Sequence, residues 1–134
     1  NCNMFDEIVG QTVIFDVMSS LPDERYIVCK PEFMHENRLI NGYDMLIYDR
    51  QENSYRYFLI RRKSDDYADN IEEITSVAES HFGECKSVCT LYAEKSPNGF
   101  AGRECYNISD FLIAVDKYRD MDKVMISLKK RGSN

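Results

Sequence analysis

Two apolar runs separated by six residues constrain this chain more than any other feature. Tyr43-Asp44-Met45-Leu46-Ile47-Tyr48 and Tyr55-Arg56-Tyr57-Phe58-Leu59-Ile60 are rich in aromatic and branched residues, with only Asp49 to Ser54 between them. A parallel pair needs a crossover of a dozen or more residues, so the two runs pair as an antiparallel hairpin. Asn41-Gly42 is the turn signal that bounds the first run. Every other element has to be arranged around this hairpin.

Upstream, Phe5, Ile8, Val9, Thr12, Val13, Val17 and Leu21 recur at three- and four-residue spacing, which predicts a helix over Met4 to Leu21 with a wide apolar face. Gly10 costs that helix about 1 kcal/mol, and Thr12-Val13-Ile14-Phe15 has strand character, so a strand from Gln11 is the alternative. Pro22-Asp23 marks a turn, and Arg25 to Cys29 reads as a strand that stops at Lys30-Pro31, where proline removes a ladder donor.

Downstream, Ile71, Ile74, Val77, Ala78, His81 and Phe82 form one stripe of a helix stopped by Gly83, with Asp65, Asp66 and Asp69 near its positive end. Ser87 to Ala93 is apolar on both faces and reads as a central strand. Pro97-Asn98-Gly99 is a turn, and Gly99 to Tyr106 is a short strand or a loop. Asn107 or Ser109 caps a helix whose buried stripe is Phe111, Leu112, Val115 and Tyr118. Val124, Ile126 and Leu128 alternate with Lys123, Ser127 and Lys129, which predicts a half-exposed strand. The order is α-β-β-β-α-β-(β)-α-β. It describes an α+β (or three-layer α/β) fold, a mixed sheet around the central antiparallel hairpin with helices packed on it.

At 134 residues, with no repeat and no Gly/Ser-rich linker, the chain reads as a single globular domain, 1–134. Its 43% hydrophobic and 12% aromatic content excludes a disordered chain. Seventeen Lys and Arg against 23 Asp and Glu leave a net charge of −6, which opposes wholesale binding to nucleic acid or an anionic membrane. No run approaches the ~18 apolar residues of a membrane span, and no signal-peptide pattern opens the chain, so a soluble, cytoplasmic protein is expected. Five cysteines, an odd count without a dense pattern, read as reduced thiols. Asn107-Ile108-Ser109 matches the glycosylation acceptor pattern, which matters only in a secreted protein.

The residues for catalysis are sparse. His35 and His81 are the two histidines, and no strand–turn–helix elbow surrounds a Ser or Cys, so no nucleophile and base can be paired. The six glycines are scattered rather than gathered into a phosphate-cradling loop. His81, Cys85, Cys89 and Cys105 are zinc-ligand types, but their spacing departs from finger and ribbon patterns. The chain therefore reads as a non-enzyme with no metal and no cofactor.

One constellation stands out. Asp44 lies near the start of one hairpin strand, and Phe58-Leu59-Ile60-Arg61-Arg62-Lys63 ends its partner with a lysine before a helix. With the α-β-β-β-α-β order of the first 93 residues, this resembles the PD-(D/E)XK nuclease core. The resemblance implies Asp44 as a metal-holding carboxylate and Lys63 as the residue orienting the attacking water. Position 61 is Arg where the pattern has Glu or Gln, so Glu72 or Glu73 on the following helix would have to supply the second carboxylate. An Arg beside Asp44 neutralises a metal site, so the implied protein is a degenerate nuclease-like domain associated with nucleic-acid metabolism.

Charge and aromatic patterning point to binding. Arg61-Arg62-Lys63 and Lys129-Lys130-Arg131 read as solvated strand ends. Brought together, they would form a basic patch on which Tyr55 and Tyr57 could stack single-stranded bases. Nine tyrosines exceed what one core takes up, and Tyr43, Tyr48, Tyr55, Tyr57 and Tyr92 cannot all point into it. Tyr43, Tyr55, Tyr57, Arg61, Arg62 and Lys63 are thus the candidate binding residues. The expected function is a non-catalytic protein-binding domain of immunity, chaperone or adaptor type, with another protein or a second copy as partner. The acidic balance and element order also resemble type III secretion chaperones.

Overall fold

The computed structural model describes residues 4–35, 38–41, 44–64, 76, 79–81, 83–98 and 104–132. The N-terminal segment is helical throughout, α1 (Met4–Ser20). Val13, Val17 and Leu21 enter the core together while Phe15, which would share their face in a strand starting at Gln11, is exposed, as helical spacing requires. The turn that ends it hangs on Pro22, whose carbonyl accepts from the amides of Arg25 and Tyr26.

A five-stranded sheet follows, in the order β1 (Tyr26–Cys29), β4 (Met45–Asp49), β5 (Ser54–Lys63), β6 (Glu84–Glu94), β7 (Cys105–Asn107). The hairpin expected from the sequence is the β4–β5 pair, antiparallel with Met45 opposite Phe58. β1 is antiparallel to β4, whereas β5, β6 and β7 run parallel. A separate two-stranded hairpin, β2 (Glu32–His35) and β3 (Arg38–Asn41), is inserted between β1 and β4. It was not foreseen, because Pro31 and the charges around Met34 conceal its short apolar stretches. Helical residues 76 and 79–81 precede β6, and Gly83, at φ 90°, donates its amide to the Glu79 carbonyl. Only a residue without Cβ adopts that conformation cheaply. The rest of the helix expected over 71–82 lies outside the described residues.

Two helices close the chain. α2 (Ile108–Tyr118) is capped by Asn107, whose side chain accepts from the amides of Ser109 and Asp110. The segment read as a final strand is instead helix α3 (Met121–Gly132). Met121, Val124, Met125 and Leu128 are buried at positions i, i+3, i+4 and i+7, while Ile126 is 55% exposed. The alternation of Val124, Ile126 and Leu128 was a coincidence of polar neighbours. Lys129, Lys130 and Arg131 accordingly complement the negative end of a helix rather than ending a strand.

The result is an α+β fold with helices packed on a mixed sheet. One face carries the larger core, in which α1, α2 and α3 cover Met45, Ile47, Phe58, Ile60, Cys89 and Leu91. Phe58 meets Phe111 of α2 at 5.1 Å between ring centroids, tilted by 54°. The opposite face holds a second cluster of Leu46, Tyr55, Tyr57 and Leu59. Strand alternation sends successive residues of β4 and β5 to these two cores, which accounts for much of the tyrosine surplus.

A charged network clamps the start of α3 to the sheet. Arg25 Nε and Nη2 donate to the two carboxylate oxygens of Asp49 at 3.1 and 2.9 Å, and Arg25 Nη1 reaches Asp120 at 3.2 Å. Arg56 and Lys86 both donate to Asp122 Oδ1, at 2.6 and 2.8 Å. Burial alone would raise the Asp49 carboxyl, but Arg25 and the amides of Gln51 and Glu52 hold it below its ordinary value. Asp122 is lowered likewise, by Lys86 first and by Arg56. Buried ions need such partners, since an unpaired charge in the interior is costly.

Candidate functional site

Asp44 immediately precedes β4 and is fully buried. Its two oxygens accept from the Tyr57 hydroxyl and from Arg61 Nη1, each at 2.7 Å. Both partners come from β5, which the hairpin register lays alongside. Burial, and then the Asp44 charge, push the Tyr57 hydroxyl far above the ordinary phenol range, so it stays a donor. Both carboxylate oxygens are thus engaged within the protein. Lys63 lies two residues beyond Arg61 on the same strand face and pairs in register with Glu94. Glu72, the migrated carboxylate implied by the nuclease resemblance, lies outside the described residues. Among the described residues, no three His, Cys, Asp or Glu side chains converge as a metal would require.

The candidate binding residues are divided by the fold. Tyr55 and Tyr57 are each 1% exposed and belong to the second core, so neither offers a ring to an external base. Arg61 is engaged with Asp44, and Arg62 approaches Glu94 at 3.9 Å. Tyr43 lies outside the described residues. At the carboxyl ends of β6 and β7 a cleft of about 400 Å³ is lined by Tyr92, Lys95, Tyr106, Lys129 and Arg131, and also by Glu104 and Asp110. Lys129 pairs with Glu104 at 3.3 Å and Arg131 with Asp110 at 3.8 Å. Carboxylates interleave with the cations at this end of the sheet, which is poorly suited to a run of phosphates. Burial raises the Tyr106 hydroxyl to about 12, so it too remains protonated.

The thiols are placed for packing. Cys89 is buried in the larger core, with its sulfur donating to Glu104 at 3.2 Å. Burial, then that carboxylate, push its thiol well above the ordinary value, so little nucleophilic thiolate forms. Cys29, on the β1 edge, is raised by burial alone. His81 is exposed rather than packed inside, and its Nδ1 lies 3.1 Å from the Ser80 hydroxyl.

The feature that sequence reasoning missed is the outward side of α1. Ile8, Thr12, Phe15 and Ser19 follow a four–three–four spacing and form one exposed stripe opposite the buried Val13 and Val17. Phe15 is 67% exposed and Ile8 57%, and Met18 stands half-exposed beside them. The polar members of the stripe are already satisfied: Thr12 and Ser19 donate to the Ile8 and Phe15 carbonyls, both at 2.8 Å. Covering this stripe with another apolar surface would therefore leave no hydroxyl without a partner. Met18 leads into a groove of about 230 Å³, shared with Leu21, Tyr26, Ile27 and Val28 and rimmed by Asp23 and Arg50. Ile27 itself is exposed, and among the described residues no strand pairs with the outer edge of β1. The signal was present in the sequence, since Ile8, Phe15 and Met18 lie away from the face of Val13 and Val17 and a one-sided helix needs only one apolar face. Compared with protein-family models, curated proteins and solved structures, the chain matches none.

Proposed function

We propose that this chain is a non-catalytic protein-binding domain, of the immunity, chaperone or adaptor kind. The observation that carries the reading is the apolar tract formed by Ile8, Phe15 and Met18 of α1, continued by the groove to Ile27 at the β1 edge. Large apolar side chains scattered singly are ordinary, whereas Ile8, Phe15 and Met18 are exposed on one helix and adjoin a groove that runs to the exposed Ile27, and clustered exposed apolar groups mark interaction surfaces. The tract's hydroxyls are internally bonded and it is bordered by the outer edge of β1, with which no strand pairs among the described residues, and both suit burial against another protein.

The test is a comparative capture from cells that express the protein, using wild type and the Phe15→Asp variant as baits. A protein retained by wild type and lost by the variant supports the reading. Identical recoveries from the two baits, or nucleic acid alone from both, would overturn it.

A second reading, the degenerate nuclease-like domain, is favoured by one observation: Asp44 and Arg61 meet at 2.7 Å where the resemblance expects two carboxylates. It predicts retained affinity for nucleic acid, and absence of a mobility shift at micromolar protein in low salt would dispose of it.

A further inference from the structure

We infer that the occupant of this tract is a second copy of the same chain, with Phe15 of each protomer seated in the groove beside β1 of the other. The inference rests on the protein-binding reading and supplies its partner. Three observations carry it.

First, knob and hole stand side by side. Phe15 projects from α1 with two-thirds of its surface exposed, and the groove begins at Met18, three residues further along the same helix. A volume of about 230 Å³ accommodates an aromatic ring, since a buried apolar cavity of about 150 Å³ suffices for benzene. A knob and a hole on one face are exchanged by a two-fold axis passing between them, so the contact closes as an isologous dimer rather than propagating.

Second, the charges match under the same exchange. Asp16 is the sole charged residue between Ile8 and Ser20, and it follows the knob directly. Arg50 and Asp23 both line the hole, and Arg50 is the one cation among its lining residues. Asp16 and Arg50 are exposed, and neither has an ion-pair partner among the described residues. Seating Phe15 in the partner's groove carries Asp16 towards the partner's Arg50, and the reciprocal pair forms by symmetry.

Third, the polar groups on this face do not resist burial, because the Thr12 and Ser19 hydroxyls already donate within their own helix. The net charge of −6 opposes association at long range, but at physiological ionic strength that repulsion is screened beyond about 8 Å. Direct contacts across the interface are screened much less.

The experiment is sedimentation velocity on the full chain at 1–200 µM, in about 0.15 M salt, with three variants. Wild type is expected to sediment as a dimer of twice 15.7 kDa, and F15D as a monomer. D16R and R50D should each weaken self-association at least tenfold, because each sets like charges opposite one another at both contacts. Mixed in equal amounts, D16R and R50D should recover a dimer, since the one chain then presents cations at both positions and the other presents acids. All three sites lie at the surface, and circular dichroism of each variant checks that it folds. A wild type that stays monomeric at 200 µM would overturn the inference, as would D16R and R50D mixing without gain, or open polymers in place of a closed dimer. A monomeric wild type that still captures a different protein through Phe15 would refute the second copy while leaving the protein-binding reading intact. Failure of capture and dimer together would remove both.

Discussion

Replacing Asp49 by Asn probes how strongly the charged network holds α3 to the sheet. Asn keeps the shape and a carbonyl oxygen for the Gln51 and Glu52 amides, but it sets an amide or a neutral oxygen against the Arg25 fork. Two charge-assisted bonds are lost, at 3.1 and 2.9 Å. Such bonds contribute about 1.5–3 kcal/mol each. Arg25 is partly exposed and keeps Asp120 at 3.2 Å, so about half of the gross loss should survive, or about 1.5–3 kcal/mol. With a urea m-value of about 2 kcal/mol/M, the unfolding midpoint should fall by about 0.75–1.5 M at pH 7. The sign of the pH dependence follows from the direction of the shift. The folded carboxyl lies below its ordinary value, so the unfolded chain binds the proton more readily. The contribution is therefore fully present above the unfolded pKa of about 3.9 and is lost as pH falls through the folded value. Urea titrations of wild type and D49N should show a wide gap at pH 7 that narrows as the pH is lowered below 4. A gap below 0.5 kcal/mol at pH 7, or one that does not narrow in acid, would refute the reasoning.

Three further outcomes are expected. Leu128→Ala should cost about 2–5 kcal/mol, as a buried core truncation does, whereas Ile126→Ala on the exposed side of α3 should stay within about 0.5 kcal/mol; equal losses in urea unfolding would restore the strand. Arg61→Ala leaves the buried Asp44 carboxylate with Tyr57 alone and should cost about 3–5 kcal/mol, with Asp44→Asn recovering part of that loss in the double variant; strict additivity would show that the pair does not interact. Cys89 should resist iodoacetamide at pH 8 in the native state and react at the free-thiol rate in urea, as read by mass spectrometry of the digested chain; rapid native labelling would contradict its burial.

What could be read in advance tracks the range of the interactions. The β4–β5 hairpin was legible because its loop is too short for anything else, and its register already set Asp44 beside the end of β5. The α2 cap was legible because a single side chain, Asn107, satisfies two nearby amides. α3 was misread because Lys123, Ser127 and Lys129 imitate a two-residue period, while burial is decided by Met121 and Met125. The charged network was invisible, since Arg25, Asp49, Lys86 and Asp122 meet only once the sheet and α3 are assembled. Tyr55 and Tyr57 were read as surface candidates because one core was assumed; the sheet has two, and the second takes both rings. The outward stripe of α1 was overlooked because Ile8 and Thr12 were assigned to the inward face, while Phe15 counted only towards strand character and Met18 was given no face.

The central claim, that the outward face of α1 is where this chain meets a protein partner, is tested most directly by a photo-crosslinking residue placed at position 15 in the cells that express it. Another exposed helical position, Asp116 of α2, serves as the control. Position 15 should give a covalent adduct of one discrete mass, twice that of the chain if the partner is a second copy, and position 116 should give none. No adduct at 15, or the same diffuse products from both positions, would contradict it.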